Sequence, residues 1–222
     1  MKTLALILLA AGLHAEGGAV IVLDPGHGGR DRGAVVRGVQ ENALTLAIAN
    51  KVADELRGIA GLVPFLTRKE DLFVALSDRV DLAEQAGGKV FLSLHADKVD
   101  GRKPKGVFVW YYGANKRVPK GPPREATERL RPAPPKELVT QSRLLAEHIQ
   151  RALRRRSVKT ASYADRGGFA VLKSDRMPSL LIEVGNMRDP AEWERMQEPA
   201  FQENLAKALA QGIAAYLTAG GL

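Results

Sequence analysis

The chain has 222 residues, of which 45% are hydrophobic and 26% charged, and its formal net charge is +8. This length and composition fit one globular domain with a full core. Cysteine is absent, which excludes disulfide bonds. Any zinc must therefore be held by histidine and carboxylate, the donors of catalytic rather than structural sites.

The first 15 residues have the pattern of a secretory signal peptide, in which Lys2 precedes an apolar stretch and Ala15 fits a cleavage point. The stretch is shorter than the ~20 residues that a membrane span needs, and no later segment is long and apolar enough. We therefore expect residues 16–222 to be the mature protein, exported to the periplasm or the cell wall. For an exported protein the positive charge indicates an anionic partner in the cell envelope rather than nucleic acid, although solubility explains it nearly as well.

Strands and helices alternate along the mature chain. Apolar runs predict six strands, at 20–23, 62–67, 89–94, 106–112, 168–172 and 179–184. Apolar residues at helical spacing predict long helices at 41–57, 74–85, 136–155 and 200–217, with a short helix after Pro190. This alternation predicts a single α/β domain whose sheet is covered by helices on both faces.

One stretch departs from this pattern. Residues 113–135 contain six prolines among mixed charges. Such a composition favours a long exposed loop within the domain.

Three predicted strands end on a residue that can ligate a metal or transfer a proton, namely His27, His95 and Glu183. Ligands of open α/β sheets bind at the carboxyl ends of strands, so these positions are candidates for chemistry. His27 lies in a glycine-rich motif, DPGHGG at 24–29, that matches neither a dinucleotide-binding loop nor a P-loop. Its glycines are expected to turn the backbone so that His27 faces a cleft. Taken alone, His27 would be a structural histidine about as often as a ligand.

Glu41 begins the helix after the first strand, where the helix dipole favours an acid whatever its role. A helix in this place starts on the side where His27 emerges, so Glu41 can face the same point as His27 and His95. Two imidazoles and a carboxylate leave the fourth position of a tetrahedral zinc open for water. Zinc lowers the pKa of that water from about 15.7 towards ~7 and polarises a carbonyl.

Glu183 is then a candidate for the proton transfers that amide hydrolysis needs. It can take a proton from the water and pass it to the leaving nitrogen of an amide. Its alternative role is an ion pair with Arg176 or Arg188.

Four motifs together resemble the zinc-dependent N-acetylmuramoyl-L-alanine amidases: DPGHGG at 24–29, Glu41, SLHAD at 93–97 and EVGNM at 183–187. The resemblance covers essentially the whole mature chain. It implies His27, Glu41 and His95 as ligands of one Zn²⁺ per chain and Glu183 as the catalytic acid/base. It also implies a twisted, mostly parallel sheet of about six strands, and hydrolysis of the amide between N-acetylmuramic acid and L-alanine in peptidoglycan, during cell-wall remodelling or lysis.

Some positions depart from the family pattern. Asp97 stands where many relatives have asparagine, and Asn186 where many have phenylalanine. The region 113–135 replaces an occluding helix of division-associated relatives, which favours an open site. Two other functions stay open: a non-catalytic peptidoglycan-binding protein, and a zinc carboxypeptidase or deacetylase acting on cell-wall material.

Three charged residues, Arg68, Asp71 and Arg79, also match the family pattern. We interpret them as an ion-pair network that holds the corner between the second long strand and the next helix, a structural role.

Overall fold

A six-stranded sheet forms the centre of the computed structural model, which describes residues 17–96, 105–113 and 129–221. The strands are β1 (Ala19–Pro25), β2 (Val35–Val36), β3 (Val39–Gln40), β4 (Leu62–Leu66), β5 (Val90–His95), β6 (Phe108–Tyr112), β7 (Asp165–Gly167) and β8 (Ser179–Glu183). The large sheet has the order β4-β1-β5-β8-β6-β7, while β2 and β3 form a separate hairpin.

Most of this sheet is parallel. β4, β1, β5 and β8 pair in parallel, β6 is antiparallel to β8, and β7 is parallel to β6. Central parallel strands are buried on both faces, so they must be apolar at nearly every position. This is why the runs at 20–23 and 90–92 were recognisable from sequence. The prediction of an α/β domain with a mostly parallel, six-stranded sheet is confirmed.

Helices cover both faces of the sheet. They are α1 (Glu41–Arg57), α2 (Leu76–Gln85), α3 (Lys136–Arg155), α4 (Pro190–Gln197) and α5 (Pro199–Thr218). The first core cluster joins α1, α3 and α5 to alternate strand residues such as Ile21 and Leu23. The second joins α2 and a 3₁₀ helix to the intervening residues, such as Val20 and Val22. This alternation follows from the two-residue period of a strand.

The prediction of a strand at 168–172 is wrong. That segment holds a 3₁₀ helix at Ala170–Leu172, and β7 lies before it. A short apolar run cannot by itself distinguish a strand from another buried segment. The β2–β3 hairpin was not predicted, because strands of two residues carry no period. Its turn has positive φ at Arg37 (48°) and Gly38 (81°), as a type I′ hairpin turn requires.

Two sequence predictions concern residues that the structure describes only in part. The signal peptide at 1–15 lies outside the described residues, as does 114–128 of the proline-rich region. At the end of that region Leu130 is 74% exposed. Arg131, however, donates to both carboxylate oxygens of Glu84 at 2.8 Å, which ties this end to α2. Within the described ranges, no helix has the length and apolar character of a membrane span.

The strands β1, β5 and β8 end at one edge of the sheet, here named the carboxyl edge. β1 and β5 are neighbours in the sheet. After β1 the chain continues to β4 on one side of this pair, and after β5 it continues to β6 on the other side. Such a switch point opens a crevice in which open α/β sheets bind ligands. His27 follows β1 and His95 ends β5, so both lie at this crevice.

Candidate metal and catalytic site

Two buried arginines hold the loop that carries His27. Arg68 donates to the carbonyl oxygens of Pro25 and Gly26, each at 2.9 Å. Arg79 donates to the carbonyl oxygens of Pro25 at 2.8 Å and His27 at 2.7 Å. A charged donor makes a stronger hydrogen bond than a neutral one, and buried bonds are not weakened by water. The backbone next to β1 is therefore held from two sides.

A fully buried carboxylate lies under this loop. Asp24 pairs with Arg79 at 2.8 Å and accepts hydrogen bonds from the hydroxyls of Thr67 at 2.6 Å and Ser93 at 2.7 Å. Burial alone would raise the pKa of Asp24, but the Arg79 charge and the two hydroxyls outweigh it and lower that pKa. These contacts tie β1 to β4, β5 and α2 below the site.

The predicted ion-pair network at this corner has different partners from those expected. Arg79 pairs with Asp24, whereas Arg68 binds mainly backbone carbonyls. Asp71 accepts a hydrogen bond from the Gly29 backbone at 2.7 Å. The structural role assigned to these residues is thus filled through loop contacts rather than through one chain of ion pairs.

His27 adopts a left-handed backbone conformation, with φ of 61°, which is uncommon for a residue other than glycine. Its Nδ1 lies 2.9 Å from Oδ2 of Asp31, so its Nε2 turns towards Glu41, 3.1 Å away. Burial opposes the charged imidazole, but the hydrogen bonds to Asp31 and Glu41 outweigh it and raise the pKa of His27 to about 9.

Glu41 is the first residue of α1 and is only 1% exposed. Backbone N–H groups hold both of its oxygens: Ala34 donates to Oε2 at 2.9 Å and Ala96 donates to Oε1 at 3.0 Å. Burial would raise the pKa of Glu41, but its hydrogen bonds and charge interactions with His27 and His95 hold that pKa far below its usual range. The carboxylate is therefore ionised and fixed in place.

The structure brings His27, Glu41 and His95 to one point. Nδ1 of His95 lies 3.2 Å from Oε1 of Glu41, the oxygen that also faces His27. One donor atom from each of the three residues lies within 4.8 Å of the other two. The two imidazole rings meet edge to face, with centroids 4.8 Å apart. These residues come from three different elements, and only the fold makes them neighbours.

Two glycines leave room for this cluster. A Cβ on Gly26 would lie 2.5 Å from Cε1 of His95, closer than real Cβ atoms come to other groups. A Cβ on Gly33, whose φ is 64°, would lie 2.5 Å from Oε2 of Glu41 and 2.7 Å from Cδ2 of His27. Glycine is needed at both positions because the backbone itself forms a wall of the site.

Glu183 lies beside the cluster, outside the group of three. It ends β8, is 4% exposed, and is the register partner of His95 across the parallel β5–β8 pair. Register partners project from the same face of a sheet, and neighbouring strands lie about 4.8 Å apart. Glu183 is thus one strand away from His95, on the same face of the sheet.

Sequence reasoning missed the partners that orient these side chains. Asp31 is the clearest case. The sequence shows that it lies four residues after His27, but its contact with the His27 ring depends on the conformation of the loop. The N–H donors of Ala34 and Ala96 carry no sequence signal at all. Asp97, part of one recognised motif, lies outside the described residues.

The cluster fits a zinc ion by the chemistry of its donors. Two imidazole nitrogens and one carboxylate oxygen, with no thiolate, form the donor set of catalytic zinc sites. A histidine that ligates a metal commonly bonds a carboxylate through its other nitrogen, and Nδ1 of His27 has such a contact with Asp31. The ionised state of Glu41 suits the same purpose.

Comparisons with known proteins agree with one another. The family model for N-acetylmuramoyl-L-alanine amidase matches residues 21–215. The chain is 32% identical to N-acetylmuramoyl-L-alanine amidase AmiA of Escherichia coli (strain K12), over 90% of this chain and 76% of that protein. It is 29% identical to the germination-specific N-acetylmuramoyl-L-alanine amidase of Bacillus subtilis (strain 168), over 92% of this chain and 82% of that protein.

Solved structures give the same result. The N-acetylmuramoyl-L-alanine amidase of Clostridium difficile 630 superposes with a TM-score of 0.74 at 26% identity, covering 91% of this chain and 98% of the other. AmiC2 of Nostoc punctiforme, also an N-acetylmuramoyl-L-alanine amidase, has a TM-score of 0.70 at 30% identity, covering 92% of this chain and 99% of the other. The similarity therefore extends through nearly all of the fold.

Proposed function

The chain belongs to the N-acetylmuramoyl-L-alanine amidase family, and we propose that it is a zinc-dependent hydrolase of the amide between N-acetylmuramic acid and L-alanine in peptidoglycan. One observation carries the proposal. Two imidazoles and an ionised carboxylate converge within 4.8 Å at the carboxyl edge, with a buried glutamate on the next strand in register.

His27, Glu41 and His95 would hold one zinc ion in this arrangement. When bound, zinc would polarise the scissile carbonyl and lower the pKa of a water molecule. The protein's contribution is to keep the ligands fixed: Asp31 holds the His27 ring, while the Ala34 and Ala96 N–H groups hold Glu41. Rigid ligands keep a reacting group within the narrow geometry that catalysis needs.

Glu183 would move the proton. Its carboxylate accepts a proton from the attacking water and then donates it to the amide nitrogen as the carbon–nitrogen bond breaks. The second transfer is essential, because an unprotonated amine anion is a very poor leaving group. The products are a free muramic carboxylate and a peptide whose first residue has a protonated or neutral amine.

The proposal extends to location. Intact peptidoglycan lies outside the cytoplasm, so we propose that the protein acts in the periplasm or the cell wall. The sequence pattern of residues 1–15 fits a signal peptide, which leaves 16–222 as the catalytic domain.

Replacing Glu183 tests the chemistry. Glu183→Gln removes the ionisable group but keeps the shape, so turnover should fall by about 10²–10⁴-fold, the usual contribution of a positioned acid/base. Zinc content should stay at the wild-type level, because Glu183 is not among the three converging ligands. Glu137→Gln, an exposed carboxylate at the start of α3, is the matched control and should keep full activity.

Mass analysis of digested muropeptides tests the bond. An amidase releases intact peptides that begin with L-alanine. Loss of a terminal residue or of an acetyl group would instead assign the chain as a carboxypeptidase or a deacetylase. Wall binding without any cleavage, unchanged in Glu183→Gln, would assign it as a binding protein.

A further inference from the structure

The carboxyl edge continues beyond Glu183 in a definite direction. Across the sheet, His95 is the register partner of Glu183, and Glu183 is the register partner of Phe108 at the start of β6. On the other side of β6, Thr160 bridges to Val107, and the Val107 N–H donates to the Lys159 carbonyl at 2.7 Å. Along this edge, His95 of the metal cluster is therefore followed by Glu183, by the half-buried ring of Phe108, and then by the segment after α3.

This order matters because the substrate has a direction. On the proposed function, the scissile carbonyl lies at His95 and its cluster, and the leaving nitrogen lies at Glu183. The peptide attached to that nitrogen must extend away from the metal ligands. Along the edge, that path crosses the start of β6 towards the Thr160 segment and the end of α3, which packs on the first core cluster, on the face opposite Phe108.

The end of α3 is strongly basic. Arg154, Arg155 and Lys159, here named the basic corner, are all exposed. Within residues 17–96, 105–113 and 129–221, no ion pair joins any of the three to a carboxylate, whereas Arg131 pairs with two carboxylates and Arg143 with one. The Lys159 side chain runs past Gly106, where an added Cβ would lie 3.0 Å from its Cγ. Among the described residues, these three cations thus have no neutralising carboxylate, and they lie at the same edge as Glu183.

We propose that the basic corner binds the free carboxylates of an acidic peptide, the stem peptide of peptidoglycan. The spacing fits such a peptide. From β8 across β6 to the Thr160 segment is two strand spacings, about 10 Å. An extended peptide covers ~3.3 Å per residue, so its third and fourth residues reach the segment that carries Lys159 when its first nitrogen lies at Glu183. The inference rests on the proposed function and adds the direction and the charge of the bound peptide.

Charge-changing variants test it. Arg155→Gln with Lys159→Gln removes two charges from the basic corner. Lys89→Gln with Lys136→Gln removes two exposed charges, also without ion pairs within the described ranges, at the opposite edge where β5 and α3 begin. Both double variants have the same net charge, so they separate a local contact from the general field of a basic protein. The substrates are a soluble N-acetylmuramoyl peptide with free stem carboxylates and the same peptide with those carboxylates amidated.

At low salt, the corner variant should lower kcat/KM for the free-carboxylate substrate by about 3- to 20-fold, mainly through KM, since exposed charge pairs make modest, additive contributions. The loss should vanish at about 1 M salt, where the Debye length is ~3 Å, and with the amidated substrate. Equal losses in both double variants, or equal losses on both substrates, would overturn the inference while leaving the amidase assignment intact. Failure of the wild-type protein to cleave either substrate would instead refute the proposed function.

Discussion

Gly33→Ala should disable the site without unfolding the protein. The added Cβ would lie 2.5 Å from Oε2 of Glu41, 2.7 Å from Cδ2 of His27 and 2.8 Å from Cβ of Glu41. Ordinary contact begins near 3.4 Å, so these two side chains must retreat by about 1 Å. A displacement of that size at reacting groups costs on the order of 100-fold in rate.

The backbone conformation of Gly33 adds a cost in stability, and a second glycine with a similar φ allows that cost to be measured separately. Gly33 has φ of 64°, and an alanine in this left-handed conformation costs about 1–2 kcal/mol. Gly61 has φ of 79° but nothing within 4 Å of an added Cβ, and it lies between α1 and β4, away from the carboxyl edge. Gly61→Ala should therefore lose only the stability that the backbone conformation costs, and keep the site.

The assay combines three measurements on both variants. Thermal unfolding should show a loss of stability in both variants, larger in Gly33→Ala because its Cβ also displaces packed side chains. Competition for zinc against a chromophoric chelator should show an affinity about 10- to 100-fold lower for Gly33→Ala only, as expected when ligand placement is disturbed. Release of peptide from muropeptides should fall at least 100-fold for Gly33→Ala. Wild-type zinc affinity and turnover in a folded Gly33→Ala protein would refute the placement of Glu41 and His27 in the site.

Two further outcomes follow from the partners of these residues. Asp31→Ala removes the carboxylate bonded to Nδ1 of His27, so its zinc affinity should drop by about 10- to 100-fold. The control Arg32→Ala, at the next residue, should keep the wild-type zinc affinity. Equal zinc affinities in the two variants would contradict the role of Asp31 in orienting His27. Asp24→Asn leaves Arg79 buried without its charge partner, which should cost about 3–5 kcal/mol in the free energy of unfolding at pH 7. Because the pKa of Asp24 is lowered in the folded state, its contribution is complete above its unfolded value near 3.8 and is lost as the pH falls through the lower folded value. Urea unfolding of both proteins should thus show a difference that is large at pH 7 and shrinks below about pH 4; a difference that grows in acid would contradict this sign.

Local sequence was sufficient for the long helices and for five of the six strands of the large sheet, and it supplied the candidate site residues. The parallel strands are buried on both faces, so they appear as unbroken apolar runs, and helices such as α1 keep a regular apolar period. The glycine-rich turn after β1 and the residues that end β5 and β8 were recognisable because each directly follows such a run. The predicted six-stranded, mostly parallel domain and the amidase family are therefore confirmed, while the roles of the individual site residues stay predictions.

Only the tertiary structure decided how these pieces meet. The strand order sets β5 between β1 and β8, and the register sets His95 opposite Glu183. The hydrogen bond from Arg79 to the His27 carbonyl oxygen joins residues 52 positions apart in the chain. Such contacts depend on how whole elements pack, and no local pattern of residue types encodes a packing arrangement between distant segments. The sequence alone determined which side chains were available, and the fold determined their distances.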